Sequence, residues 1–375
     1  MVYTLALRNF IHDRVSLMVT LVGIVFSVTL MAIQIGLYYG SQQVITDMIS
    51  HAGGQLWITQ IGAQSFDDSG LLKGGEKYAA LSRPGVASAI DLGVQTMVWK
   101  RADGAQQLVV VVGTDPEDQG LAAWNLIEGA VTDIYKPNGV IADKAYLADL
   151  QLKGIGDSGE INGQKVVLVG VTDHIRSFTT LPYVFTSLNR ARSLMHAAPN
   201  QSGYVAVKLK PDANIAAVQA DLQKNIRDVD VLTVDQFRNR SIRHWLLNTG
   251  AGAALIAGAV LGLIVGVVVV AQTLYASTKD HLNEFATLRA LGASSGYIVR
   301  VILVQAVLSA VIGYLIGMAQ SLLIVWLSRD TQLVILVTPM LALALFLITL
   351  GMCMFSAISA IVKVTRIDPA MVFSR

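Results

Sequence analysis

The sequence predicts a membrane protein, an α-helical bundle of four transmembrane helices that carries one large extracytoplasmic α+β domain. Of its 375 residues, 53% are hydrophobic and only 14% are charged, whereas about a quarter of the residues of a soluble domain are charged. Four apolar segments reach the roughly 20 helical residues that cross a bilayer. Between the first two lies a mixed polar stretch of roughly 210 residues, enough for one large or two small domains.

Positive charges near the ends of the spans predict the orientation. Arginines precede the first span, Lys279 and Arg289 lie between the second and third, and Lys363 and Arg366 follow the fourth. Both termini are therefore expected in the cytoplasm, and the large domain in the periplasm of a cell with two membranes. The predicted order is a cytoplasmic amphipathic helix (1–14), span one (15–40), the α+β domain (41–247), span two (248–274), a cytoplasmic helical loop (275–296), span three (297–328), a short periplasmic link (329–333), span four (334–363) and a cytoplasmic tail (364–375).

The stretch between the first two spans predicts strands mixed with short helices, which is typical of an α+β domain. Asp103-Gly104 lies between two apolar runs and predicts a hairpin. The sequence leaves open whether the domain divides near residue 115 or 200. Strands are predicted at 55–59, 93–100, 106–113, 139–142, 165–171, 204–209 and 229–234, and helices at 76–81, 144–150, 215–226 and from 235.

The loop between the second and third spans contains a short amphipathic helix. Leu282, Phe285, Leu288 and Leu291 recur every three residues, so they line one side of a helix. Ser277 or Thr278 is expected to cap its start, and Gly292 to end it. On pattern alone, this helix either lies on the membrane surface or offers its apolar side to a partner protein.

Glycines four residues apart in the second and third spans predict close packing of helices. Such spacing lets helix backbones approach, which is a main source of helix attraction in lipid. The packing is expected within the chain or across a dimer. The glycines concerned are Gly258, Gly262 and Gly266 in the second span, and Gly313 and Gly317 in the third.

Several function classes find no support in the sequence. A phosphate-binding Gly-x-x-x-x-Gly-Lys-Ser/Thr loop is missing, and the six histidines are scattered. We therefore predict no catalytic residue, cofactor or metal site, and no nucleic-acid partner. The spans contain almost no internal charge, which argues against ion-coupled transport. The best raw material for an enzyme in the outer domain is Asp67, Asp68, Asp173 and His174, although such residues are usually solvated turn residues.

Residues 284–293, Glu-Phe-Ala-Thr-Leu-Arg-Ala-Leu-Gly-Ala, resemble the Glu-x-x-x-Leu-Arg-Ala-Leu-Gly-Ala signature of FtsX/MacB-type (type VII) ABC transporter permeases. Residues 366–370 resemble the Asp-Pro element after the last span of that family, and residues 6–9 resemble its start. The layout of one span, a large outer domain and three further spans is also similar. Residues 30–37 resemble the DevC-like branch, which works without a fused ATPase.

The resemblance implies a permease subunit that transmits the motion of a separate ATPase to its periplasmic domain. That ATPase would bind ATP and Mg. The further partners it implies are a second permease copy, a periplasmic adaptor protein and an outer-membrane channel, with the complex placed in the bacterial inner membrane among its lipids. Leu282, Phe285, Leu288 and Leu291 are then expected to fill a groove of the ATPase, with Glu284 and Arg289 at its rim and Gly292 ending the helix.

Two alternatives within the same superfamily stay open. One is a permease that releases lipoproteins, which needs an outer domain able to bind acyl chains. The other is an FtsX-like regulator of a cell-wall hydrolase, which needs a docking surface outside the membrane and no cargo. The sequence does not identify the cargo, the adaptor or whether the dimer is formed by like chains.

Overall fold

A computed structural model describes residues 14–116, 121–280, 284, 287 and 293–365. These residues form two compact units. Residues 14–39, 253–329 and 335–365 belong to the first, which we call the membrane unit. Residues 40–252 and 330–334 belong to the second, which we call the outer unit.

Within the described residues, four long helices are apolar enough to cross a bilayer, as the sequence predicts. The first exceeds its predicted span, since residues 38–51 contain no proline and the helix continues to His51. It ends just before Gly53, which adopts a left-handed φ of 69°. A left-handed glycine is a common end of a helix. The helices are α1 (Arg14–His51), α7 (Ala251–Asp280), α8 (Ser295–Leu327) and α9 (Pro339–Thr365).

Helix α1 supplies the centre of the membrane unit. Its Ile24 and Val28 are fully buried among residues of α7, α8 and α9, including Val270, Ala306 and Cys353. The single cysteine therefore packs inside the bundle as a small apolar side chain.

The outer unit contains one mixed sheet of ten strands. Nine strands follow the order β10-β1-β9-β2-β3-β8-β5-β7-β4, and β6 pairs with β2 and β7. The elements are β1 (Leu56–Gln60), α2 (Glu76–Leu81), β2 (Val86–Lys100), β3 (Gln106–Thr114), β4 (Leu126–Glu128), β5 (Gly139–Asp143), α3 (Leu147–Leu150), β6 (Ser158–Ile161), β7 (Gln164–Thr172), β8 (Tyr183–Ser187), α4 (Leu188–Met195), β9 (Tyr204–Leu209), α5 (Ile215–Asn225), β10 (Val229–Thr233) and α6 (Val234–Ile242).

Strand β2 holds the two halves of this sheet together. Its first part, up to Leu92, pairs antiparallel with β9, and the part from Gly93 pairs with β3. The expected hairpin at Asp103-Gly104 joins β2 to β3. Since one strand belongs to both halves, the outer unit does not separate near residue 115 or 200.

An aromatic cluster fills the core of the outer unit. The ring of Trp57 lies 5.4 Å from Phe237, 5.8 Å from Tyr204 and 6.1 Å from Phe66, measured between centroids. All four side chains are buried. Aromatic pairs at such distances add to the gain from burial.

The edge strand β10 is covered by glutamines of α5. Gln223 Nε2 donates to Val229 O, and Gln223 Oε1 accepts from Val231 N, both at 2.8 Å. Gln219 Nε2 donates to Val231 O at 2.8 Å. Three backbone groups of β10, namely Val229 O, Val231 N and Val231 O, are thus hydrogen-bonded by side chains.

Two further differences from the predicted elements are local. The helix expected at 144–150 is a 3₁₀ turn (Lys144–Tyr146) followed by the single turn of α3, because Gln151 turns the backbone left-handed at φ 55°. The sequence reading also missed the first part of β2, the strands β4 and β8, and α4.

We expect Trp57→Ala to destabilise the outer unit by about 3–5 kcal/mol, the usual cost of truncating a buried large aromatic side chain. The matched control is Tyr78→Ala on α2, since Tyr78 is 71% exposed. Thermal unfolding followed by circular dichroism measures both. Equal midpoints for the two variants would contradict the assigned core.

Candidate functional site

The predicted ATPase-contact segment lies between α7 and α8. Glu284 and Thr287 are helical and exposed. The other expected contact residues lie outside the described residues, so their assignment stays a prediction. They are Leu282, Phe285, Leu288, Arg289, Leu291 and Gly292.

The expected start of this segment at Ser277 or Thr278 is wrong. Both residues lie inside α7, which continues to Asp280, and Thr278 is buried. The sequence between Gly266 and Asp280 has no glycine or proline to stop the helix. At the other end, Ser294 caps α8 by accepting a hydrogen bond from Tyr297 N at 3.3 Å.

The three glycines of α7 face α1. A Cβ atom at Gly258 would come within 2.7 Å of Gln34 Nε2, and one at Gly262 within 3.2 Å of Leu30. A Cβ atom at Gly266 would overlap Ser27 and Met352. The Ser27 hydroxyl donates to Gly262 O, so a polar contact accompanies the close approach.

The two glycines of α8 face α1 as well. A Cβ atom at Gly313 would meet Ile24, and one at Gly317 would come within 2.9 Å of Val28 Cβ and 3.2 Å of Val25 O. Thr29 Oγ1 donates to Gly317 O at 3.3 Å. Both pairs of helices thus approach closely within one chain.

The acidic candidates of the outer unit occupy two places. Asp67 Oδ1 accepts a hydrogen bond from the hydroxyl of Tyr183 at 2.6 Å. Its side chain keeps some solvent contact, but dense surrounding protein desolvates it, and burial raises its pKa to about 6. Asp68 beside it is exposed. Asp173 lies 3.2 Å from the exposed His174, and the described residues include no group of three possible metal ligands.

Sequence reasoning missed a buried ion pair in the outer unit. Asp143 ends β5, Arg176 lies in the loop after β7, and their side chains are 1% and 3% exposed. Asp143 also accepts hydrogen bonds from Ile175 N at 2.7 Å, Ala145 N at 3.0 Å and Thr172 Oγ1 at 3.2 Å. Burial raises the pKa of Asp143. The site nevertheless fits the carboxylate, because all four partners donate.

The same arginine contacts the segment that follows α8. Arg176 Nε donates to Thr331 O at 3.0 Å. Two exposed contacts accompany it, Lys144 to Asp330 at 3.4 Å and Gln332 to Asp149 at 2.5 Å. Residues 330–334, which we call the link, thus belong to the outer unit although they lie between two spans. No sequence pattern indicates this contact.

A polar groove of about 670 Å³ lies beside β10. Nine of its eleven lining residues carry amide or charged side chains, but most of the surface that they expose to the groove is apolar. It is lined by Gln64, Gln219, Gln223, Asp230, Val231, Leu232, Gln236, Asn239, Arg240, Arg243 and Asn248.

Two protein families match this chain. The MacB-like periplasmic core domain matches residues 17–225, more than half of the chain, and the FtsX-like permease C-terminal domain matches residues 256–369. The chain is an FtsX/MacB-type ABC transporter permease.

Relatives of the permease include uncharacterised ABC transporter permeases. One from Mycobacterium tuberculosis is 21% identical over 380 residues, which cover 98% of each chain. One from Methanocaldococcus jannaschii is 21% identical over 350 residues, covering 86% of this chain and 83% of its own. The periplasmic region of MacB from Actinobacillus actinomycetemcomitans aligns with 52% of this chain and 96% of its own, at 13% identity and a TM-score of 0.38.

Membership of this family sets the broad role. A permease is the membrane subunit of an ABC transporter and works with a partner ATPase. The four apolar helices of the described residues place the chain in the membrane, and the MacB-like match runs from within the first span to residue 225.

We expect Gly317→Ala to destabilise the membrane unit by about 1–3 kcal/mol, since the added methyl overpacks the contact with Val28. The control is Gly351→Ala on α9, where a Cβ atom meets nothing within 4 Å. That change is expected to be neutral or to stabilise the helix by up to about 1 kcal/mol. Thermal unfolding in detergent compares them, and equal effects would refute the packing role of Gly317.

We expect Asp67→Asn to change the pH dependence of outer-unit stability. The pKa of the Asp67 carboxyl group is raised from 3.8 to about 6 in the folded state, so the folded protein binds this proton more tightly than the unfolded chain does. Its contribution to the free energy of unfolding is therefore full below about pH 3.8 and is lost as the pH rises through about 6. Asparagine does not titrate, so the variant lacks this loss. Unfolding midpoints measured from pH 4 to 7 test it, with the exposed Asp68→Asn as the control. A variant profile that parallels the wild type would contradict the role of Asp67.

Proposed function

We propose that this permease converts ATP hydrolysis by a separate ATPase into movement of its outer unit, and that this movement drives export through a periplasmic adaptor and an outer-membrane channel. The observation that carries the proposal is the continuity of α1. This helix supplies Ile24 and Val28 to the core of the membrane unit and Met48 and Ile49 to the core of the outer unit, with no break between them.

The spans support transmission of motion rather than conduction of a charged substrate. The sequence has no charged residue in 15–45, 251–278, 301–327 or 339–362. Ionisable residues inside a membrane usually mark the path of an ion or a polar substrate. A helix bundle whose interior is packed and uncharged offers no path for a charged substrate, and its helices can transmit motion by shifting against each other.

The polar groove supports a protein partner outside the membrane. Its amide and charged side chains can hydrogen-bond to a protein surface, and its apolar surface can be buried beneath one. An adaptor protein is the occupant that we propose for it.

Helix α7 supports a second copy of the permease. Of its most apolar stretch only 22% is buried within the chain, compared with 44% for α1 and α8. Ile256, Val260 and Ile264 are among its exposed side chains. In the proposed orientation, both termini of the permease lie in the cytoplasm. Two copies would then place both ATPase-contact segments on the cytoplasmic face of the membrane, where an ATPase dimer can bind them.

The decisive experiment replaces Phe285 and Arg289 together by alanine. Buried aromatic and arginine side chains supply much of the binding energy of protein interfaces. We expect the double variant to reduce co-purification of the partner ATPase at least about tenfold, which corresponds to ~1.4 kcal/mol of binding free energy. Stimulated ATP turnover should fall with it.

The control is Thr287→Ala, which changes an exposed residue of the same segment outside the predicted apolar side. This variant is expected to retain the ATPase. If the double variant also retains it and stimulates turnover as the wild type does, the contact assignment is wrong.

A further inference from the structure

The link Asp330–Val334 joins α8 to α9 along the chain but packs as part of the outer unit. Among its contacts there, the one made by Arg176 is buried, whereas Lys144 and Asp330 are 52% and 80% exposed. Exposed ion pairs contribute little because water screens them. The link also packs closely on Gly40 through the backbone of Val334. Among its polar contacts, the buried one with Arg176 is therefore expected to contribute most.

The guanidinium of Arg176 has three partners, one of which is Asp173 of its own loop, 3.6 Å from Nη2. Its Nη1 pairs with Asp143, and its Nε donates to the carbonyl of Thr331 at 3.0 Å. Asp143 is itself fixed by three further donors. The planar guanidinium thus connects an immobile carboxylate of the sheet to a backbone carbonyl of the link, a geometry that the single ammonium of lysine does not reproduce.

The loop that carries Arg176 is also held. Ser177 N, the next amide along the chain, donates to the hydroxyl of Tyr146 at 3.0 Å, and Tyr146 is fully buried. Burial raises the pKa of Tyr146 to about 12, so its hydroxyl stays neutral. Arg176 is therefore anchored from both the sheet and its own loop.

A purely structural role accounts poorly for this arrangement. Burying two charges costs free energy that an apolar pair of similar volume does not cost. Buried polar groups are best attested where they fix one position among several. Here the position fixed is that of the link.

Resting on the proposed transmission of motion, we propose that Arg176 is a positioning residue of the transporter. By tying the Thr331 carbonyl to the Asp143 carboxylate through its guanidinium, it makes the link a further mechanical connection to the outer unit, in addition to α1 and the start of α7. Movement of α8 and α9 then reaches the outer unit through the link.

The test variant is Arg176→Lys, which keeps the charge beside Asp143 but loses the second directed donor. Its control is Arg192→Lys. Arg192 has the same kind of contacts, Nε to Gln201 O at 2.7 Å and Nη2 to Asp91 at 3.1 Å, but neither partner belongs to the link. Both are made in the full permease in complex with its ATPase, and circular dichroism verifies that the outer unit is folded.

The first measurement is hydrogen–deuterium exchange in peptides that cover the link. We expect Arg176→Lys to speed exchange there about tenfold, the size of effect that follows from losing a hydrogen bond to a charged group. Arg192→Lys should leave exchange in the link unchanged. Equal exchange in the link for both variants overturns the proposal.

The second measurement is the distance between spin labels at Lys153→Cys in the two permease copies, with and without ATP. Lys153 is exposed on the outer unit, and the native cysteine is buried. We expect ATP to change the distance between the two spin labels in the permease with native Arg176. In the Arg176→Lys variant, the change in this distance is expected to be at most half as large, while ATP turnover continues.

An undiminished distance change in Arg176→Lys overturns the role of Arg176 and leaves the proposed function standing. A complex with native Arg176 whose distance does not respond to ATP overturns the proposed function, and this inference with it. The spin-label distance in the complex with native Arg176 therefore distinguishes a failure of the proposed function from a failure of this inference.

Discussion

The membrane unit depends on the close approach of α7 and α8 to α1. Lipid tails are as apolar as leucine, so spans gain nothing from leaving lipid for each other and must gain from packing. Five glycines supply that packing by removing the side chains that would otherwise separate the backbones. The hydroxyls of Ser27 and Thr29 use the same proximity to donate to carbonyls of the neighbouring helices.

The outer unit solves a different problem, because water surrounds it and burial of apolar surface drives its folding. Its aromatic cluster around Trp57 and its long strand β2 join sequence segments that lie more than a hundred residues apart. The end of α1 enters that core through Met48 and Ile49. One helix thus belongs to two cores that are stabilised by different physical forces.

Much of this architecture could be predicted from local signals. Long uncharged apolar runs predict the four spans, and Asp103-Gly104 between alternating residues predicts the hairpin whose register pairs Met97 with Val109. The glycine spacing of α7 and α8 predicts close helix contacts, and both helices pack closely on α1. The first part of β2 escaped notice because its apolar residues follow no regular alternation, and its place depends on pairing with the distant β9.

The contact of Arg176 could not be predicted for a similar reason. Asp143, Arg176 and Thr331 are separated by 33 and 155 positions, and neither a motif nor a periodicity relates them. Asp143 was visible only as an acidic residue after an apolar strand. The start of the ATPase-contact segment was misplaced because Ser277 and Thr278 resemble caps in sequence, although nothing before them stops α7.

The glutamine cover of β10 has a consequence for a protein that accumulates in a crowded membrane. A bare strand edge recruits strands from neighbouring molecules and seeds fibrous aggregates. Gln219 and Gln223 occupy the hydrogen-bonding positions that an incoming strand would need. This edge of the sheet therefore terminates chemically at its own helix, and copies that share one bilayer are kept from joining through β10.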